Sequence, residues 1–357
     1  MTETEILAAA VATFVAAALI SLVLTPLVGR LARRVEAVDH PGQRRVNAVP
    51  IPRGGGVAVA VAFLAVAGAL LGLDATVGLW RPQDAPAANG LVALLLGGGL
   101  AVLLGLVDDR FDLRARWQLA GQLLLALIPV LLGITVGAIA NPFGPGPIRL
   151  EGIFGAAFVM VWVMGMINSA NFIDGLDGLS GGIALIAALT LAIISLTGPR
   201  MEPVVALLCL ALAGALLGFL RWNFHPASVF MGTSGVMFIG YTLALLSILG
   251  VAKVAVALLV LGVPIIDTFF AIVRRMRAGR SPFKPDRNHI HHRLLDVGLS
   301  HTQTVLLIYA ICGVLGALAL VLSGTGQMYA FLGVFVVFGL VILALDRVVE
   351  AREAEEV

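Results

Sequence analysis

Residues 151–198 read EGIFGAAFVMVWVMGMINSANFIDGLDGLSGGIALIAALTLAIISLTG, and their reading decides the class of this protein. Two apolar runs, 151–169 and 180–198, flank a polar knot at 168–182 (NSANFIDGLDGLSGG). A helix needs about 20 apolar residues to cross a bilayer, and each run is close to that length. Polar groups at membrane depth are expensive, so a knot of Asn and Asp between two such runs marks a functional candidate.

The same pattern fills the rest of the chain. Of its 357 residues 60% are hydrophobic and only 12% charged, whereas soluble domains carry about 25% charge. Eleven stretches are long and apolar enough to span, near 5–29, 54–74, 89–107, 118–136, 151–169, 180–198, 203–220, 235–250, 253–273, 303–322 and 328–345. Little length is left for a soluble domain. The expectation is one all-α polytopic domain over 1–357 with about eleven transmembrane helices.

Orientation follows from the charges. Glu3 and Glu5 precede the first stretch and an Arg cluster follows it, which is the reverse of a cleaved signal peptide. Basic residues mark the cytoplasmic side. With the N-terminus outside and the C-terminus cytoplasmic, 19 of the 23 Lys and Arg fall on cytoplasmic segments. Cys209 and Cys312 lie inside apolar stretches and read as small core residues rather than a disulfide.

The connections on the two sides differ. Outside loops such as 141–147 (NPFGPGP) are short and turn-rich. Polar residues gather instead in cytoplasmic segments 39–56, 108–117, 168–182, 221–235 and 274–302. One-sided clustering argues against a plain transporter, which places polar groups at the midplane. It points to one composite site.

Asp108-Asp109 closes the third stretch. Adjacent like charges repel unless a cation or donor intervenes, so the pair reads as phosphate- or cation-handling, or as solvated acids at a helix end. Asn168, Asn171, Asp174 and Asp177 recur every three residues, so neighbours share a helix face. Two carboxylates beside hydrocarbon need a cation, and oxygen ligands without Cys suit Mg2+ or Mn2+. Pro50–Gly56 (PIPRGGG) places Arg53 at the start of the second stretch, where a helix N-terminus favours an anion; a simple turn explains it as well. His289, His291 and His292 form HIHH in the most basic loop. Zinc is one reading, but the surrounding Arg fit a nucleotide or phosphate better. Arg274, Arg275, Arg277 and Arg280 also suit contact with anionic lipid. Asp267 lies near that loop as a site acid or an Arg partner. His225 carries little signal and reads as a structural hydrogen-bonder.

Taken together these motifs are specific. Pro52–Gly56, Asp108-Asp109, the NxxNxxDGxDGL pattern at 168–179, RWNFHPASVFMG at 221–232 and SPFKPDRNHIHH at 281–292 resemble the polyprenyl-phosphate N-acetylhexosamine-1-phosphate transferases, the WecA/TagO group, over about 20–322. The phospho-MurNAc-pentapeptide transferases, the MraY group, are a more distant match, and the HIHH form argues against them. The resemblance implies a bacterial cytoplasmic-membrane enzyme with its site on the cytoplasmic face. It implies transfer of a sugar 1-phosphate, GlcNAc 1-phosphate first among candidates, from a UDP-sugar to undecaprenyl or another polyprenyl phosphate, with UMP released. This would be the first lipid-linked step of an envelope glycan. The partners implied are the two substrates and membrane lipid, with no nucleic acid; a homodimer is compatible.

Carried onto this chain, the resemblance makes Asp108, Asp109, Asp174 and Asp177 catalytic. It gives substrate binding to Arg53, Asn168, Asn171, Arg287, His289, His291 and His292. Mg2+, or Mn2+, would lie on Asp174, Asp177 and Asp109, with Asp267 as a further candidate. The chain departs from the pattern twice. Thr233 stands where the family usually has an acidic metal ligand, and Asn47 where it commonly has a His. A hydroxyl cannot replace a carboxylate's charge, which opens the alternative of a weakened, lipid-phosphate-binding homologue.

Overall fold

A computed structural model of the protein describes residues 2–39, 50–77, 88–141, 143–144, 146–198, 201–250, 253–277, 279 and 289–355. In chain order the helices are α1 (Glu3–Arg34), α2 (Gly55–Val77), α3 (Ala88–Phe111), α4 (Ala115–Leu131), α5 (Ile153–Ile173), α6 (Leu179–Thr197), α7 (Pro203–Asn223), α8 (Gly232–Leu249), α9 (Lys253–Val260), α10 (Gly262–Arg277), α11 (Ile290–Asp296), α12 (His301–Val321) and α13 (Thr325–Glu355). Two antiparallel pairs of two-residue strands interrupt them: β1 (Val38–Asp39) with β2 (Ile51–Pro52), and β3 (Ala138–Ile139) with β4 (Ile148–Arg149). The chain is an all-helical, multi-pass membrane protein apart from these two ribbons.

Each of the eleven apolar stretches contains a helix, but two differ from their expected spans. Among the described residues nine helices are long and apolar enough to cross a membrane, or ten if a bent pair counts as one span. The stretch at 118–136 yields a helix of only 17 residues. Gly133 adopts φ +81, and Gly133 N and Ile134 N donate to the carbonyls of Val130 and Pro129. That left-handed glycine cap stops the helix at Leu131 although the apolar sequence runs on. The stretch at 253–273 breaks into α9 and α10, bent by 77°. Pro264 has no N–H to offer the carbonyl of Val260, four residues earlier, and its ring crowds that carbonyl.

Packing sorts the helices into centre and rim. In α7 89% of the most apolar window is buried, against 22% in α1 and α13, so α7 is a core helix and the other two face lipid along most of their length. Close contact between α1 and α7 depends on the GxxxG spacing of Gly214 and Gly218. A Cβ at either would lie 2.1 Å and 2.2 Å from the carbonyl oxygens of Phe14 and Ala18. Small residues at such spacing let membrane helices approach backbone to backbone. Buried polar side chains tie the bundle. Trp162 Nε1 donates to Ser247 Oγ at 3.0 Å, Tyr241 Oη to the Ala93 carbonyl at 2.7 Å, and Trp222 Nε1 to the Leu22 carbonyl at 2.9 Å. In a lipid setting each of these groups would otherwise lack a partner.

Candidate active site

The polar ends of α3, α5, α7, α8, α11 and α12 meet at one end of the bundle. There they enclose a cavity of about 660 Å³, a size suited to small-molecule ligands. Arg53, Asp108, Asp109, Asn171, Asp174, Asp177, Thr233 and His292 all line it. Five sequence segments that share no local pattern therefore form one wall.

Each acid is held differently. Asp109 lies at the end of α3 and accepts from two main-chain N–H groups in the first turn of α8, Thr233 N at 2.7 Å and Ser234 N at 3.0 Å, one on each oxygen. It caps a helix from another part of the chain, using the unpaired amides and positive end of α8. The close approach needs Gly232, which has φ +75 and whose Cβ would lie 2.7 Å from Asp109 Oδ2. Asp108 Oδ1 accepts from Leu113 N at 3.1 Å and Gln118 Nε2 at 2.8 Å, closing the α3–α4 turn.

Asp174 caps the C-terminal end of α5 and accepts from the Ser180 hydroxyl. Burial pushes its carboxyl up to about 7; the neighbouring carboxylates of Asp109 and Asp177 add to the rise, while Ser180 and Arg53 oppose it. Asp177 Oδ2 accepts from Ala227 N at 3.0 Å and meets His225 Nδ1 at 2.8 Å. Asn223, at the end of α7, ties this turn down: Gly178 N donates to its Oδ1 at 3.1 Å, and its Nδ2 donates to the Val229 carbonyl at 3.0 Å.

Positive charge comes from Arg53, just after β2. Its Nε donates to Asp39 Oδ1 at 2.7 Å, and its Nη2 pairs with the same oxygen. The β1–β2 pairing brings the two together, with Arg53 N donating to the Ala37 carbonyl at 2.9 Å.

The donor set fits a hard divalent cation. Asp108 Oδ2, Asp174 Oδ2 and Asp177 Oδ1 have no hydrogen-bond donor among the described residues. Burial raises Asp174 and the neighbouring carboxylates add to it, and a cation would offset both.

Other expected site residues have different duties. Asn168 does not line the cavity; its Nδ2 donates to Gln122 Oε1 at 2.7 Å and to the Met164 carbonyl at 2.8 Å, joining α5 to α4. Asp267 and His289 are buried together, Oδ2 to Nδ1 at 2.7 Å, while Asp267 Oδ1 accepts from Ile290 N at 3.0 Å. Both oxygens of Asp267 thus anchor α11. His291 is also buried, with no partner for either ring nitrogen among the described residues. Its Nε2 would be 2.2 Å from a Cβ on Gly175, so it packs directly beneath the Asp174–Asp177 turn. Burial holds its imidazole well below the ordinary range, aided by His292, His289 and His301. Only the last His of HIHH reaches the cavity. Arg280, Arg287 and Asn47 lie outside the described residues.

The structure adds Asp39, Gln118, Asn223, His225 and His301 to the cavity wall. The 221–232 motif contains Asn223 and His225, so a signal for both existed. Asp39 and His301 lie in the polar segments 39–56 and 274–302, and nothing local marks Gln118.

The sequence also matches known proteins. The family model for glycosyl transferase family 4 matches residues 91–251. The chain is similar to a Bacillus subtilis protein described as a probable undecaprenyl-phosphate N-acetylglucosaminyl 1-phosphate transferase, at 35% identity over 93% of this chain and 89% of that one. A decaprenyl-phosphate N-acetylglucosaminephosphotransferase of Mycolicibacterium smegmatis is 37% identical over 91% and 86%. An undecaprenyl-phosphate alpha-N-acetylglucosaminyl 1-phosphate transferase of Thermotoga maritima is 30% identical over 91% and 94%.

Proposed function

The chain belongs to the polyprenyl-phosphate N-acetylhexosamine-1-phosphate transferases of glycosyl transferase family 4, and from that premise we propose that it transfers N-acetylglucosamine 1-phosphate from UDP-N-acetylglucosamine to a polyprenyl phosphate and releases UMP. The observation that carries this reading is the one cavity that joins Arg53 to six aspartates, Asp108, Asp109, Asp174 and Asp177 among them, at one end of the bundle.

The chemistry needs little from a general base. The second pKa of a phosphate monoester is about 6, so the acceptor is mostly a dianion at neutral pH. One of its oxygens attacks the phosphorus next to the sugar. The new phosphoanhydride forms as the old one breaks, and UMP leaves with the bonding electrons. Positioning and charge neutralisation dominate such a reaction. Arg53, held by Asp39 through Nε and Nη2, would turn its Nη1 edge to phosphate oxygens. Asp174 and Asp177, with Asp108, would hold Mg2+ or Mn2+, which when bound supplies positive charge to the phosphates, while Asp109 accepts from the α8 amides. His292 and Asn171 remain to contact the donor.

The decisive assay mixes purified protein, UDP-N-acetylglucosamine, polyprenyl phosphate and Mg2+. UMP release is expected; none with any divalent ion overturns the reading. UDP-MurNAc-pentapeptide should compete poorly. Thr233 favours a second reading, a weakened homologue that only binds lipid phosphate. That reading fails if the wild type turns over, and gains if Thr233→Asp alone confers activity.

The site would face the cytoplasm of a bacterial inner membrane, early in envelope glycan synthesis. Asp108 at the end of α3 and Asp174 at the end of α5 line one cavity, so the chain between them must leave that end and return. We therefore read α4 as a crossing despite its length. The bent pair α9–α10 likewise starts from the far end of α8 and leads to Asp267 and α11 beside the site. Eleven crossings result, with an outside N-terminus, and 19 of 23 basic residues fall on the site side. A cysteine at Arg114 should label only from the cytoplasm and one at Gly144 only from outside.

A further inference from the structure

We propose that Asp177, His225 and His301 form a binding site for a borderline divalent ion such as Zn2+ on the wall of the cavity. The three residues come from the turn before α6, the segment after α7 and the first turn of α12, and one donor atom from each lies within 4.8 Å of the other two. The side chains of His225 and Asp177 are 40% and 16% exposed, so an ion can reach them from the cavity.

The spacing suits coordination. His225 Nδ1 and Asp177 Oδ2 are 2.8 Å apart. A four-coordinate ion with bonds of about 2.1 Å separates its donors by about 3.4 Å, so a shift of roughly half an ångström lets an ion take the place of the proton these atoms share. His301 is poorly satisfied. Its Nδ1 is buried with no partner among the described residues, and its Nε2 makes only a 3.4 Å contact to the Asp177 carbonyl. Buried polar atoms without partners are rare and call for an explanation such as an ion. The two imidazoles stack at 4.1 Å and 19°, so the His301 ring must turn out of the stack to aim at a common point. In turning it gives up that stacking and one long contact.

Donor chemistry separates this site from the carboxylate set beside it. Two imidazoles and one carboxylate suit Zn2+, Co2+ or Mn2+, whereas an all-oxygen set suits Mg2+. Asp177 belongs to both. Zn2+ bound by the imidazoles would draw Asp177 away and inhibit transfer. The binding claim itself does not depend on the transferase reading.

The test uses the full chain in detergent, stripped by chelation and titrated with Zn2+ against a chromophoric competitor. One Zn2+ per chain is expected, with affinity at least tenfold weaker in His225→Gln and in His301→Gln. His292→Gln, a cavity imidazole outside the trio, should bind like the wild type. Absorption at the zinc edge of the wild type should show two imidazoles. No binding by the wild type, equal binding by both trio variants, or fewer than two imidazoles overturns the assignment. Melting curves of the metal-free variants separate lost coordination from lost fold, and where a variant does not fold the wild-type spectrum decides.

Discussion

Asp108-Asp109 and Asp174–Asp177 look alike in sequence: two acids each, close together, at the site end of an apolar helix. The structure gives one acid of each pair a different hydrogen-bond setting. Asp109 accepts a main-chain N–H on each oxygen from the first turn of α8. Asp174 has one hydroxyl, Ser180, and two carboxylates for neighbours, so its charge is left unsettled. A carboxylate saturated by amides mainly holds structure. One left short of donors is available for chemistry, at a cost to the fold that a ligand can offset.

That contrast can be broken by experiment. The largest effect should come from Asp174→Asn: UMP release falls by about a thousandfold or more, while the melting temperature at pH 8 without metal holds or rises. Asp109→Asn should lower activity too, but with a loss of stability. An amide cannot accept from two N–H groups on both its atoms, and an unsatisfied buried donor costs about 1–3 kcal/mol. If the two variants melt alike, the distinction fails.

The pH dependence is the next largest. Folding raises the Asp174 carboxyl from the usual 3.8 to about 7. The fold therefore favours the protonated form. The resulting stability is fully present below about 4 and is lost as pH rises towards 7. Metal-free protein should melt lower at pH 8 than at pH 5 by a margin that shrinks in Asp174→Asn. Mg2+ should restore the loss at pH 8, and its affinity should fall below pH 7, where it must displace a proton. A flat pH response of the wild type relative to Asp174→Asn contradicts this. The smallest effect belongs to Thr233→Ser. The contact to Asp109 comes from the main chain, so activity should change by no more than about threefold; a larger loss would assign the methyl or hydroxyl geometry a direct role.

Much of this molecule is legible in its sequence. The apolar runs, the one-sided charge and the three-residue recurrence of Asn and Asp are local patterns, and local patterns report helices and their polar ends. They misjudge where helices stop when a single residue decides, as Gly133 does for α4 and Pro264 for α9 and α10. HIHH shows the limit at the site. Three His within four residues suggest one task, but they begin a short helix whose faces point different ways. His289 turns to Asp267, His291 packs beneath Gly175, and His292 lines the cavity.

The sequence alone determined that this chain is a multi-pass membrane protein and that its polar residues gather in a few segments between apolar runs, because hydropathy and charge are properties of composition and spacing. Only the tertiary structure decided which acids are saturated and which remain available. It also decided that Asp177 meets His225 and His301, 48 and 124 residues away. Those pairings exist only after the helices pack, since no local periodicity can say which helix ends will share a wall.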